Sequence, residues 1–235
     1  MSADAGGDSP AIDELRRAVG VSGDAGGDSP VLDELRRAVG VSGDAPVGAV
    51  LAGGAGLRLG GVKPATLLGG RPLISYPLAA LRAVVSPVAV VAKRDSPLPV
   101  LGYGVEIWHE PDEPRHPLAG IVEALRRAAG RSVVVLACDM PFVTPEVVRA
   151  LCAPLAPGTV AVVTSSDGRL QPLCARYEAD AADALERALT DDGRARLSEV
   201  VAALNPAVAG FPAALLVNVN APEDLARAEA DLRAG

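Results

Sequence analysis

The stretch VGAVLAGGAGLRLGGVKP, residues 47–64, decides the fold, because a short apolar run passes directly into a long glycine loop. The run at 47–52 contains no polar side chain, as expected of a strand that is covered on both faces. The loop then offers many backbone N–H groups that no side chain obstructs, and Arg58 and Lys63 add positive charge. Such a combination predicts a phosphate-binding loop.

Two familiar phosphate-binding patterns do not fit this loop. A Walker A loop requires Gly directly before Lys and Ser or Thr after it, whereas Lys63 lies between Val62 and Pro64. A dinucleotide fingerprint requires G-x-G-x-x-G opening into a helix. Counted from Gly54, the third glycine comes one place late, at Gly60, and prolines delay any helix to about residue 73. An NAD-dependent oxidoreductase is therefore the weakest interpretation.

Apolar runs and helical patterns alternate through the rest of the chain. The apolar runs occupy residues 47–52, 88–93, 105–110, 133–139, 160–166, 171–177 and 215–220. Helical patterns occupy residues 72–84, 118–129, 144–153, 179–189 and 222–234. Continuous apolar strands separated by helices predict a three-layer α/β/α domain with a mostly parallel, Rossmann-like sheet. Ligands of such sheets bind beyond the carboxyl ends of the strands.

Polar residues lie at the ends of two of these runs. Asp139 ends the run at 133–139, just past its apolar part, and a carboxylate there suits Mg²⁺, which usually takes one or two carboxylates together with substrate phosphates. The neighbouring Cys138 is expected to be a small apolar filler. In a strand at 215–220, alternation would put Asn218 and Asn220 on one face, where both amides would contact a ligand or a metal-bound water. Asn220 is also a candidate cap for the last helix.

Composition and charge restrict the classes of protein. The chain has 235 residues, 49% of them hydrophobic, and a net charge of −7. Nine acids and four arginines in the first 44 residues account for −5 of that charge and leave −2 for the rest, which argues against a nucleic-acid partner. We expect no membrane span, because no apolar stretch is long enough. With no export signal and three separate cysteines, the sequence favours the cytoplasm.

The first part of the chain is a tandem repeat. Residues 4–23 recur at 24–43 with only two differences, at positions 11/31 and 12/32. Each unit predicts one short helix of marginal stability. We therefore expect a weakly ordered extension over 1–45 and the α/β domain over 46–235. Two interpretations of the extension stay open: a segment without chemistry, or a docking peptide that presents Leu15 and Leu35 to a partner.

The loop carries a family resemblance. The pattern L-A-G-G-x-x-x-R-L-G-x-x-K-P at 51–64, followed by LGGRPL at 68–73, resembles the signature of the molybdenum cofactor guanylyltransferase-like (MobA-like) nucleotidyltransferases. CDMPF at 138–142, PLAG at 117–120 and NVNAPEDL at 218–225 resemble further segments of that family. The resemblance spans residues 47–228. It implies a nucleotidyltransferase that moves NMP from an NTP to an acceptor and releases pyrophosphate.

The resemblance also implies roles for individual residues. It assigns nucleotide binding to a set of strand-end and loop residues: Leu51, Ala52, Gly53, Gly54, Lys63, Lys93, Glu110 and Asp139. Asp139 would bind Mg²⁺, and Arg58 and Lys63 would act with it in catalysis. The nucleotide-contacting acid is Glu110 by strand-end alignment, with Asp112 as second choice, where the family has Asp. Lys93 stands where the family often has Asn, and His116 where it has Gly.

The resemblance favours transfer of GMP from GTP to the phosphate of molybdopterin. That phosphate is already ionised near neutral pH, so no general base is required. Alternatives remain: CTP as the donor, cobinamide phosphate or another small phosphorylated metabolite as the acceptor, or a non-catalytic nucleotide-binding carrier. Leu-Ala-Gly-Gly at 51–54, where cytidylyl relatives commonly have Leu-Ala-Ala-Gly, favours GTP.

Overall fold

The computed structural model describes residues 45–54, 62–191 and 196–234. Seven strands form the main sheet, in the order β5-β4-β1-β6-β8-β7-β9. Their bounds are β1 Val47–Leu51, β4 Val88–Ala92, β5 Val105–His109, β6 Val133–Ala137, β7 Ala161–Ser166, β8 Arg169–Tyr177 and β9 Ala207–Gly210. A separate hairpin pairs β2, Leu67–Leu68, with β3, Arg71–Pro72.

The main sheet is mostly parallel, as predicted. β1 pairs in parallel with β4 and β6, β4 with β5, and β7 with β9, whereas β8 is antiparallel to both of its neighbours. The chain adds β4 and β5 on one side of β1 and then β6 on the other, so the order of strands reverses between β1 and β6. The amide N–H of Cys138 donates to the carbonyl of Leu51 across this point, at 3.1 Å. The chain therefore leaves β1 and β6 at neighbouring points, at Leu51 and Cys138.

Helices cover both faces of the sheet. They are α1 Ser75–Arg82, α2 Pro117–Arg127, α3 Pro145–Leu151, α4 Ala182–Asp191, α5 Leu197–Ala203 and α6 Pro222–Ala234. α1 and α3 pack on one face of the sheet, and α2, α4 and α5 pack on the other. Each face has its own apolar core. β1, β4 and β6 are buried along their whole lengths. The first polar side chains after these strands therefore lie at the edge of the sheet.

The prediction of a strand at residues 215–220 is wrong. A 3-10 turn, Ala213–Leu216, leads into an irregular segment at 217–220 that joins no sheet, and β9 lies earlier in the chain. The N–H of Val219 donates to the carbonyl of Asp139, at 2.9 Å. The Val219 side chain is fully buried with Leu68 and Ala228 in a small third core. Alternation of apolar and polar residues fits any extended segment with one buried side, and here that side faces the hairpin and α6.

Two sequence predictions fall partly or wholly outside the described residues. The repeats at 4–43 lie there, so the weakly ordered extension over 1–45 and its docking role stay predictions. Arg58 in the glycine loop lies there as well. Across 45–54, 62–191 and 196–234, no helix combines the length and apolar character needed to cross a bilayer.

Candidate active site

A cavity of about 430 Å³ opens at the carboxyl ends of β1 and β6, where the strand order reverses. This volume and position are typical of a small-molecule site in an open α/β sheet. Residues from the ends of several strands and from the irregular segment at 217–220 line it: Leu51, Gly53, Gly54, Lys63, Lys93, Glu110, Arg115, His116, Pro117, Ala137, Cys138, Asp139, Leu173, Asn218 and Asn220.

One cluster in the cavity joins a cation to two oxygen acceptors. The Lys63 ammonium donates to Oδ2 of Asp139 at 2.5 Å and to Oδ1 of Asn220 at 2.6 Å. Lys63 begins the 3-10 turn Lys63–Ala65, directly after the glycine loop. Its side chain is 16% exposed and that of Asp139 9% exposed, so little water screens the pair. The Lys63 ammonium therefore joins three segments that are distant in sequence, those that contain Lys63, Asp139 and Asn220.

A second charged pair lies at the ends of the neighbouring strands β4 and β5. The Lys93 ammonium is 3.4 Å from Oε1 of Glu110 and donates to the carbonyl of Pro111 at 2.6 Å. Both side chains are only 7% exposed. Burial raises the pKa of the Glu110 carboxyl above its usual value, and the nearby Lys93 offsets part of that rise. The pair places a buried carboxylate and a buried ammonium together on the cavity wall.

Two glycines make room for the Glu110 carboxylate. A Cβ atom on Gly53 would lie 1.7 Å from Oε1 of Glu110, and one on Gly120 would lie 2.8 Å from Oε2. The carboxylate is thus held between the segment after β1 and the first turns of α2. Any side chain at Gly53 would displace it. The second glycine of Leu-Ala-Gly-Gly, Gly54, has no atom within 4 Å of its Cβ position.

The structure brings together most of the residues that the sequence singled out. Lys63, Lys93, Glu110 and Asp139 line the cavity, as do Leu51, Gly53, Gly54, Asn218 and Asn220. Ala52 is buried below the cavity surface, and its N–H donates to the carbonyl of Val91. Asp112 is exposed, and Glu110 is the acid that lines the cavity. Asn218 and Asn220 lie on the same side because Val219 between them is buried, not because a strand alternates there.

Other residues line the cavity besides those predicted to bind the nucleotide. Arg115 and Leu173 line it, and an arginine beside the Pro-Leu-Ala-Gly turn was a signal that basic charge lies near this wall. His116 is the N-cap of α2, and its Nδ1 accepts from the N–H of Leu118 at 3.1 Å. Burial raises the pKa of the Cys138 thiol to about 12, which fits an inert filler and excludes a thiolate nucleophile near neutral pH.

The residues around Lys63 fit a divalent metal ion with hard oxygen ligands. The carboxylate of Asp139 and the amide oxygen of Asn220 already converge on one positive charge. Among the described residues, no three His, Cys, Asp or Glu side chains cluster to hold a metal ion by themselves. Mg²⁺ needs no such cluster, since it binds through one or two protein oxygens and completes its shell with substrate phosphates and water.

The sequence matches one protein family and several relatives with related names. The family model described as "MobA-like NTP transferase domain" matches residues 48–208. A molybdenum cofactor guanylyltransferase of Cereibacter sphaeroides is 38% identical over 191 residues, which cover 79% of this chain and 96% of the relative. A probable molybdenum cofactor guanylyltransferase of Methanocaldococcus jannaschii is 29% identical, over 68% of this chain and 83% of its own length.

Solved structures share the fold. Molybdopterin-guanine dinucleotide biosynthesis protein A of Archaeoglobus fulgidus superimposes with a TM-score of 0.63 at 30% identity, covering 80% of this chain and all of the other. The 2-C-methyl-D-erythritol 4-phosphate cytidylyltransferase of Thermus thermophilus gives a TM-score of 0.60 at 22% identity, over 81% of this chain and 99% of the other, and supports the fold alone. By sequence, fold and cavity position, the chain belongs to the MobA-like NTP transferase family.

Proposed function

We propose that this protein transfers GMP from GTP to the phosphate of molybdopterin and releases pyrophosphate. The observation that carries the proposal is the pair of charged clusters in one cavity. Lys63, Asp139 and Asn220 form a cluster suited to phosphates and Mg²⁺, and Lys93 and Glu110 form one suited to a base. The curated relatives named as molybdenum cofactor guanylyltransferases support the choice of donor and acceptor.

The chemistry of the Lys93–Glu110 pair favours guanine. Guanine presents two adjacent donors, N1–H and N2–H, beside the acceptor O6. An ionised carboxylate is an acceptor at both oxygens, and an ammonium is a donor only. Glu110 and Lys93 therefore match all three groups of the guanine edge. Adenine, cytosine and uracil lack two adjacent donors, so each leaves part of the pair unmatched.

The same arrangement orients the triphosphate. With the base at Glu110, the phosphates extend towards Lys63 and the glycine loop that precedes it. Backbone N–H groups of such a loop and a lysine ammonium are typical partners of phosphate oxygens. Asn218 and Leu173 are left on the cavity wall for the acceptor.

The reaction is an in-line displacement at the α-phosphorus. An ionised oxygen of the acceptor phosphate forms the new bond, the bond from the α-phosphorus to the bridging oxygen breaks, and pyrophosphate leaves with the electron pair. Positioning and charge stabilisation dominate such chemistry. Lys63 stabilises charge on the leaving group, and Asp139 with Asn220 would hold Mg²⁺. The metal, when bound, adds positive charge at the phosphates and a template for their alignment.

The test is pyrophosphate release with Mg²⁺ and GTP, CTP, ATP or UTP, with and without molybdopterin. We expect GTP-selective release that requires the pterin and is lost in Asp139→Ala. Asp231→Ala is the matched control, because Asp231 is an exposed carboxylate outside the cavity. Release with CTP or with another acceptor would keep the chemistry and replace the substrates. Nucleotide binding without turnover on any acceptor would favour the carrier alternative.

We place the reaction in the cytoplasm, in the domain over 46–235. GTP and Mg²⁺, the proposed donor and metal, are available in that compartment. A variant that lacks residues 1–45 tests the domain assignment. Unchanged pyrophosphate release by that variant would support it, and loss of release would assign the repeats a part in the reaction.

A further inference from the structure

The Lys63 ammonium occupies the position that a divalent cation would take between Asp139 and Asn220. It lies within hydrogen-bonding distance of one oxygen of each, at 2.5 Å and 2.6 Å. A carboxylate and an amide oxygen are the ligand types that Mg²⁺ prefers. An ammonium and a divalent cation on these same two oxygens would repel each other, so binding of one disfavours binding of the other.

We propose that Lys63 competes with the divalent cation for this position, so that the cation binds tightly only together with the triphosphate. The proposal rests on the proposed function, because it takes the triphosphate to be the ligand that draws Lys63 away. Phosphate oxygens of the nucleotide give the ammonium a new partner and release Asp139 and Asn220 to the metal. Lys63 is thus a positioning residue for the metal as well as a phosphate ligand.

The burial of Asp139 explains why such an exchange is favourable. Its side chain is only 9% exposed, and a carboxylate with so little water is costly unless a cation pairs with it. Lys63 supplies that cation before the metal arrives, and the metal supplies it afterwards. The carboxylate therefore has a cationic partner both before and after the metal binds.

The position of Lys63 suits this movement. It lies at the junction of the glycine loop and the 3-10 turn, its side chain retains 16% exposure, and the neighbouring Val62 is 44% exposed. A lysine also carries its charge on a flexible four-carbon stem. Lys93, the other lysine in the cavity, is more deeply buried, because its side chain is 7% exposed and contacts Glu110 and the carbonyl of Pro111.

The experiment measures binding of Mn²⁺, a paramagnetic substitute for Mg²⁺, by electron paramagnetic resonance of the free ion. Wild type, Lys63→Met and Lys93→Met are titrated without nucleotide. Both variants remove one ammonium from the same cavity, so a general charge effect would appear in both. We expect Lys63→Met to bind Mn²⁺ at least about tenfold more tightly than wild type, and Lys93→Met to change the affinity by less than about threefold.

A second titration adds the GTP analogue with a methylene group between the α- and β-phosphorus atoms, which cannot be cleaved. We expect the analogue to tighten Mn²⁺ binding at least about tenfold in wild type and clearly less in Lys63→Met, since the competitor has already been removed. Equal Mn²⁺ affinity of wild type and Lys63→Met, or an equal rise in both lysine variants, would overturn the proposal.

Two further variants keep the test decisive. Lys63→Gln, which removes the charge but keeps a polar side chain, replaces Lys63→Met if the latter does not fold. Lys63→Arg retains the positive charge and should bind free Mn²⁺ as weakly as wild type. None of these titrations depends on turnover, so absence of GMP transfer would refute the proposed function while the Mn²⁺ affinities decide the role of Lys63 separately.

Discussion

Replacing Glu110 with Gln tests whether the Lys93–Glu110 pair recognises guanine. The substitution keeps the size of the side chain but exchanges one of its two acceptor oxygens for an NH₂ donor. That donor would face an N–H group of the base, so one charge-assisted hydrogen bond is lost. Such a bond contributes about 1.5–3 kcal/mol, and about 1.4 kcal/mol corresponds to a tenfold change. We therefore expect kcat/KM for GTP to fall by about 10- to 150-fold.

ITP sharpens the assay, because inosine has the N1–H of guanine but lacks the N2 amine. Wild type should prefer GTP to ITP by about tenfold, the effect of one such hydrogen bond. The preference should largely disappear in Glu110→Gln, since the variant no longer offers two acceptors. Pyrophosphate release at several concentrations of each nucleotide gives both ratios of kcat/KM.

The control for this variant is Glu146→Gln, which removes a carboxylate from an exposed pair with Arg149. It should leave both ratios unchanged. Thermal unfolding of each variant separates loss of recognition from loss of the native state. A folded Glu110→Gln enzyme that keeps the wild-type preference for GTP over ITP would refute the assignment of the base to this end of the cavity.

Three other predictions concern the same cavity. Lys63→Ala should lower kcat at least about a hundredfold, the usual effect of removing a donor that stabilises developing charge. Arg149→Ala, which removes an exposed cation, should leave kcat unchanged. Near-normal turnover of Lys63→Ala would contradict the role of Lys63. Gly53→Ala places a Cβ 1.7 Å from Oε1 of Glu110 and displaces that carboxylate. The KM of this variant for GTP should therefore rise at least about tenfold. Gly210→Ala adds a Cβ with no atom within 4 Å and should keep the wild-type KM. Burial raises the folded-state pKa of Glu110 above 4.5, so the native protein binds more protons than the unfolded chain between pH 4.5 and that raised pKa. The free energy of unfolding should therefore fall as pH rises through this window. Urea denaturation at a series of pH values should show a smaller fall in Glu110→Gln than in wild type.

The sequence predicted that the residues after the first strand and Asp139 lie at the same edge of the sheet. The apolar runs before each loop predicted buried parallel strands, and carboxyl ends of parallel strands share one edge of a sheet. Contact between Asp139 and Lys63 needs, in addition, that β1 and β6 are neighbours, which the structure shows and the pattern does not require. Asn218 and Asn220 both line the cavity although no strand forms there, because the buried Val219 between them imposes the same alternation.

Other features depend on contacts that the sequence pattern does not encode. The pairing of Lys93 with Glu110 requires β4 and β5 to be neighbours at the edge of the sheet, and many strand orders satisfy the same pattern. The hairpin at 67–72 is only two residues long on each side. The helix Leu197–Ala203 buries a single residue, Val201, and such a short helix has a weak apolar period.

The irregular segment at 217–220 also makes one wall of the cavity depend on a core outside the main sheet. All seven strands of the main sheet lie before residue 211. Asn218 and Asn220 follow them, on either side of Val219, which is buried with Leu68 and Ala228. A substitution that loosens the packing of the hairpin on α6 should therefore displace this wall while the paired strands that carry the rest of the cavity stay in register.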